Sequence, residues 1–316
     1  MRTSSGSPCA AIASAAGGSA TQHPVVQNAY LWSTIFDVLD APEHPWRVSV
    51  ARTLQKIWPA GYAQAAFLAY ANARMLDGEL ESHPFDSVEG HACLQGWLTV
   101  ADGSIGGAAR AAASALPFID PTVRTAMLKL AESHVDITVR IEAAAARALD
   151  GDAVGLARLR RWSGDPRYAE LAIAHLQRMD ALDMVPDIAR DRNFQAASTM
   201  ASWLSQPSEF GRPPDDLEAV DSRKLNWPPT QDRRRVWLFR YRYWPMTEDD
   251  HAVEGVGMVG SVTFAMADED TETLTVAEAY GLHCAWELEM LDDPRTPSER
   301  TPQAGLQILR AANPDL

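Results

Sequence analysis

Residues 120–149 read DPTVRTAMLKLAESHVDITVRIEAAAARAL, and their spacing decides the fold class of the chain. Asp120 is placed to cap the free N–H groups of a first helical turn. Pro121 fits the first helical position because its missing N–H would be unpaired there anyway. Val123, Ala126, Met127 and Leu130 then recur at three-and-four spacing, which predicts one apolar face that a neighbour must cover. Asp136 starts the pattern again, with Ile137, Ile141, Ala144, Ala145 and Ala148 along one stripe. The short connection from Glu132 to Val135 makes the pair a helical hairpin.

The same reading extends outward. Asp165 and Pro166 are expected to open a third helix with Tyr168, Leu171, Ala172, Leu176 and Met179 on its face, and a fourth carries Phe194, Ala197, Ala201 and Leu204. Upstream, His44 and Pro45 precede Val50, Leu54, Ile57 and Trp58, and residues 60–76 form an alanine-rich helical stretch. A repeated unit that cannot bury its face alone predicts stacking into an α-solenoid, here over residues 24–205. Residues 1–23 are read as a flexible tail, since their apolar run is short, broken by Ser and Gly, and preceded only by Arg2.

The strings from Asp120 to Arg124 (DPTVR) and from Asp136 to Arg140 (DITVR), each followed by alanine and leucine, resemble the Asp-x-x-Val-Arg-x-x-Ala signature of HEAT repeats. The resemblance is specific for residues 106–180. It implies a HEAT-like, armadillo-like fold in which Asp120, Arg124, Asp136 and Arg140 form a polar ladder joining successive repeats. It also implies an extended surface for holding a partner, with Arg124, Arg140 and Arg158 on one candidate ridge. HEAT-like folds also include bilin lyases and alkylbase DNA glycosylases, so an enzyme with a pocket in the solenoid groove is the alternative.

Beyond Leu204 the composition changes. Pro207, Pro213, Pro214, Pro228 and Pro229 mark residues 206–232 as a connector, because repeated proline prevents helix. Residues 233–316 are expected to form a small α+β module. In it Trp237, Phe239, Tyr241 and Tyr243 alternate with Leu238, Arg240 and Arg242 along a strand. Residues 256–266 read as a second strand and residues 276–291 as a helix.

Charge narrows the function. Lys and Arg total 28 against 42 Asp and Glu, a formal charge of −14, which opposes phosphate backbones and anionic lipid surfaces and favours a neutral or basic protein partner. Arg158, Arg160 and Arg161 beside Trp162, and Arg233 to Arg235 before the aromatic strand, are local basic clusters, but residues 206–316 hold 11 basic against 21 acidic residues. Structural ion pairs account for these arginines more simply than nucleic acid does. The acidic runs include Asp268, Glu269 and Asp270, which with Trp237 and Tyr241 complete the candidate partner-binding set. Three widely spaced cysteines, Cys9, Cys93 and Cys284, fit neither a disulfide framework nor a zinc pattern, which points to a reducing cytoplasm.

Candidate chemistry is sparse. Residues 255–262 (GVGMVGSV) match the glycine spacing of dinucleotide-binding and kinase loops, where bare backbone N–H groups approach phosphate. Ser261 to Phe264 continues as strand rather than helix, and no downstream kinase elements follow, so a glycine-rich hairpin or bulge explains the motif better. His283, Cys284 and Glu287, and separately His91 with Cys93, lack the convergent spacing that zinc needs. They read as packed side chains, as does His175. No catalytic residue, metal or cofactor is assigned. The expected function is a cytoplasmic, non-catalytic scaffold or inhibitor. The Ala, Arg, Asp and Trp usage suggests a bacterial source, where such a binder could be an immunity or accessory protein.

Overall fold

The computed structural model of the chain describes residues 34–36, 38, 39, 41, 43–47, 62–100, 107–206, 208–245, 251–267 and 273–316. The chain divides into two units, residues 1–156 and 157–316. The described residues are mainly helical, with one small four-stranded antiparallel sheet toward the C-terminus. Among them no helix is long and apolar enough to cross a membrane.

In the first unit the helices are α1 (Tyr62–Leu76), α2 (Val88–Thr99), α3 (Ala108–Ala115), α4 (Pro121–Glu132) and α5 (Ile137–Leu149). The two aspartates cap their helices as expected: Asp120 Oδ1 accepts the Thr122 N–H at 2.7 Å and Asp136 Oδ1 the Thr138 N–H at 2.7 Å. The buried face of α4 is turned from the expected one, with Met127, Leu128 and Ala131 inside and Ala126 exposed. The reason is that α4 lies against both α2 and α5, which widens and rotates the covered stripe. α5 is buried on several sides, from Val139 and Ile141 through Ala143, Ala144, Ala145 and Ala146. Its alanines let neighbouring helices come close. Each helix packs on its neighbour in α2–α3 and α4–α5, and on the next but one in α1–α3, α2–α4 and α3–α5. The stripe expected at Val50, Leu54, Ile57 and Trp58 lies outside the described residues.

α6 (Ala153–Trp162) runs across the division between the units. The second unit holds α7 (Ala169–Arg178), α8 (Arg192–Leu204), β1 (Asp216–Trp227), β2 (Asp232–Tyr243), β3 (Val253–Val259), β4 (Thr263–Met266), α9 (Val276–Met290) and α10 (Pro302–Ala312). Asp165 and Pro166 do not open α7. The Asp165 carboxylate holds Arg167 at 2.8 Å in a turn, and the helix starts after Tyr168. α7 and α8, which the pattern places at the end of the solenoid, belong with the sheet. The sequence boundary near residue 205 therefore moves to residue 156, because the apolar face of α8 is covered by strands.

Strand order is β1-β2-β3-β4, antiparallel throughout. The expected connector contains β1: the proline pairs at 213–214 and 228–229 bracket a proline-free stretch long enough for a strand. The expected strand 256–266 is a hairpin, turning where the Gly260 N–H meets the Val262 carbonyl at 3.1 Å. The sheet has helices on both faces. Phe239, Tyr241 and Tyr243 pack on Ala196, Met200 and Leu204 of α8, while Leu225, Trp227, Val236, Leu238 and Met258 pack on Tyr280, Cys284 and Leu288 of α9 and Leu309 of α10. Alternation along β2 produces both sets, since successive side chains point to opposite faces. α10 was not foreseen, although Thr301 before Pro302, with Leu306 and Leu309 following, carries the same start signal as α4.

Candidate functional site

α8 has two working faces. Ala196, Met200 and Leu204 turn into the core, and Gln195, Ser198, Thr199, Ser202 and Gln206 line the opposite side at three-and-four spacing. With Glu170, Ile173, Ala174 and Gln177 of α7, and Thr263 of β4, they enclose a groove of about 610 Å³. Its lining holds one carboxylate, several amides and hydroxyls, and the aromatic edges of Phe194 and Trp203. The Trp203 indole nitrogen is buried there with no hydrogen-bond partner among the described residues. Such a surface offers donors and acceptors without strong charge, which suits the backbone and uncharged side chains of a peptide segment.

A second cavity, about 550 Å³, lies at the β1–β2 turn between Trp227, Pro228, Arg233 and Arg295 on one side and Ile308, Ala311 and Ala312 of α10 on the other. Two of its charged groups are already committed. Asp232 binds Arg234 at 2.7 Å, which holds its carboxyl down to about 2, and Arg295 binds Asp293 at 2.6 Å.

One cluster carries chemistry-bearing side chains in the core. Glu287 of α9 accepts the Trp227 indole N–H at 2.7 Å and the hydroxyl of Ser261 in the β3–β4 turn, and its Oε2 lies 3.8 Å from His283 Nε2. The order is wrong for a hydrolytic triad, because the serine proton points to the carboxylate and not to the imidazole. His283 is 1% exposed, has neither ring nitrogen bonded among the described residues, and is kept neutral by burial, which lowers its pKa to about 3. Ser261, His283 and Glu287 line neither cavity. Glu287 therefore acts as a staple joining β1, the β3–β4 turn and α9. Cys284 beside it is buried, with its thiol pushed up to about 12 by desolvation, which makes it unreactive.

The glycine motif is also structural. Gly255 and Gly257 lie inside β3, so neither phosphate-binding loop is formed. A Cβ at Gly255 would sit 2.5 Å from the Tyr241 ring, and one at Gly257 would sit 2.5 Å from Met200 Sδ. The missing side chains make room for an aromatic and for α8.

The sequence-derived site residues are divided between the two units. Arg124 and Arg140 lie in the first unit and Arg158 in the second. Arg124 bonds Asp150 at 3.1 Å and the Pro117 carbonyl at 3.2 Å, and Arg140 bonds the Val135 carbonyl at 3.1 Å. Asp120 and Asp136 bond the N–H groups of their own helix starts, so in place of the expected ladder Arg124 pairs with Asp150 and Arg140 bonds a carbonyl. Tyr241 is a core residue, 1% exposed, with its hydroxyl on the Met266 carbonyl at 2.9 Å. It is not a binding residue, because α8 and Phe210 cover the aromatic face. Trp237 is half-buried and donates to Asn193 Oδ1 at 2.9 Å. Asp268, Glu269 and Asp270 lie outside the described residues. The α7–α8 groove was missed because its polar positions look like ordinary helix surface. The one sequence signal is a run of uncharged polar residues along α8 where charged ones would be usual.

In comparisons with known proteins, no family model matches the chain, and no curated protein or solved structure matches it.

Proposed function

We propose that this chain is a non-catalytic protein-binding scaffold that holds a peptide segment of its partner in the groove between α7 and α8. The observation that carries the reading is the groove itself, uncharged but for Glu170 and rich in amide and hydroxyl groups. Glu170 is the one titratable side chain in the lining of the α7–α8 groove, which favours binding over chemistry there. In the first unit, packing of each helix on its neighbour and on the next but one supports a HEAT-like stacking of hairpins, which would supply a rigid frame. The excess of acidic residues favours a partner that is neutral or basic as a whole. The odd number and wide spacing of Cys9, Cys93 and Cys284 along the sequence fit a reducing cytoplasm.

The test places a photo-crosslinking amino acid at Thr199 in the full chain. A single protein adduct should form in cells and disappear when Ser198→Trp fills the groove. Equal adducts from a crosslinker at Arg160, outside the groove, would sink the reading. A co-purifying chromophore or nucleotide lost on the same substitution would replace it with the enzyme alternative.

A further inference from the structure

We propose that the β1–β2 hairpin carries a docking surface for an acidic protein segment, formed by Lys224, Arg233 and Arg235. The register sets Lys224 directly opposite Arg235 and Asn226 opposite Arg233, so the three cations share one face of the sheet in adjacent rows. All three are exposed. Like charges directly across a strand pair destabilise it, so the fold gains nothing from this arrangement.

The contrast with neighbouring arginines is the main support. Arg223 is paired with Asp221 at 2.7 Å, Arg234 with Asp232 at 2.7 Å, and Arg242 with Glu254 at 2.6 Å. Lys224, Arg233 and Arg235 have no carboxylate partner among the described residues, although the chain as a whole is strongly acidic. Arg235 donates only to the neutral Ser222 hydroxyl, at 2.8 Å. Arg233 borders the cavity beside the end of α10, where its cross-strand partner Asn226 donates to the Ala312 carbonyl at 3.0 Å, but α10 supplies no carboxylate there. α8 shields this face further along, and its first turn ends at the Trp237 row through the bond from Trp237 to Asn193. The cations occupy the rows beyond.

Geometry fits an extended acidic segment. Arg233 and Arg235 are two residues apart on one strand, about 7 Å, which is the repeat of alternate side chains in any extended chain. Lys224 stands about 5 Å across the ladder from Arg235. Nucleic acid suits the surface less well. A polyphosphate strand runs well past the Debye length of about 8 Å and would meet the acidic surroundings, whereas a short acidic segment feels mainly the patch. The surface stands independently of the α7–α8 groove, and a partner that is neutral or basic as a whole can still present such a segment.

The experiment measures fluorescence anisotropy of a labelled, end-blocked EDEDEDED peptide with the full chain, against a QNQNQNQN peptide and an oligothymidylate of equal length. The acidic peptide should bind saturably and about ten-fold more tightly than the amide peptide, and more weakly as salt rises. Lys224→Glu should weaken it by about ten-fold. The same change should raise the melting temperature by about 1–3 °C, because the like-charged pair becomes an opposite one. Arg240→Gln, on the other face, should leave affinity within about two-fold. The proposal fails if the acidic and amide peptides bind alike, if the oligothymidylate binds more tightly than the acidic peptide, or if Arg240→Gln weakens binding as much as Lys224→Glu. It fails equally if Lys224→Glu lowers the melting temperature, since Lys224 would then be a structural residue.

Discussion

His83 in the first unit and His283 in the second are the two most deeply buried of the described histidines, and they are held in opposite ways. His83 in the first unit is 3% exposed, with Nε2 2.9 Å from Asn72 Oδ1 and Nδ1 accepting the Phe85 N–H at 3.2 Å. Those partners fix a neutral ring with its proton on Nε2, and Asn72 passes the link to the Ala111 carbonyl at 2.8 Å, tying α1 to α3. His283 in the second unit lies between the rings of Trp227 and Phe264, at centroid distances of 5.8 and 5.6 Å, with neither nitrogen bonded among the described residues. Burial keeps both neutral, lowering their pKa values to about 4 and about 3. The comparison teaches that equal burial hides unequal contributions. His83 is a joint between helices, whereas His283 is a filler whose polar atoms cost stability and whose neighbour Glu287 makes the joint.

Four measurements can break or sharpen that contrast. The largest effect should come from Glu287→Ala, which leaves the Trp227 N–H and the Ser261 hydroxyl without their acceptor. A loss of about 3–6 kcal/mol is expected for two hydrogen bonds to a buried carboxylate, read from urea unfolding with hydrogen exchange in α9. A loss near zero would mean the staple contributes nothing. Next, His83→Leu should cost about 2–4 kcal/mol by orphaning Asn72 and the Phe85 N–H, while His283→Phe should cost less than about 1 kcal/mol or stabilise. Equal costs would end the distinction.

The third test is pH. Each histidine titrates near 6.5 when unfolded and near 4 or 3 when folded, so the unfolded chain takes up its proton first. Stability should be complete above about pH 6.5 and fall as pH drops toward 4, by up to about 1.4 kcal/mol per unit for each histidine. His283→Phe should remove that slope from the second unit and leave it in the first. A slope unchanged in both would place the acid sensitivity elsewhere. The smallest effects concern helix caps, where the units should behave alike. Asp136→Ala in the first and Thr275→Ala in the second should each cost about 1 kcal/mol in thermal melts.

These contrasts follow how far each region could be read from the chain. The helical hairpin of α4 and α5 was legible because cap, proline and apolar spacing all act within a few residues, and the structure places both caps where the sequence does. The bracketed strand β1 was not. It is an edge strand with a register shift between Ala219 and Asp221 and many charged positions, so its alternation is weak. The candidate groove was invisible for a related reason, because a polar stripe gains meaning only when a second helix stands beside it. Arg233 and Arg235 were visible as a basic cluster, but separating them from the paired Arg234 required the cross-strand register.

The sequence by itself determined the mainly helical character, the capped helix starts of α4 and α5, the aromatic strand β2 and the acidic charge, because each depends on neighbours within a turn or on composition alone. Only the tertiary structure decided that α7 and α8 join the sheet, that Tyr241 is core, that Gly255 and Gly257 make room for Tyr241 and Met200, and that Glu287 joins residues 60 apart. Those features depend on which distant surfaces meet. Burial energy is non-directional and can be satisfied by many partners, so local pattern leaves the pairing undecided until close packing and hydrogen bonding select one arrangement.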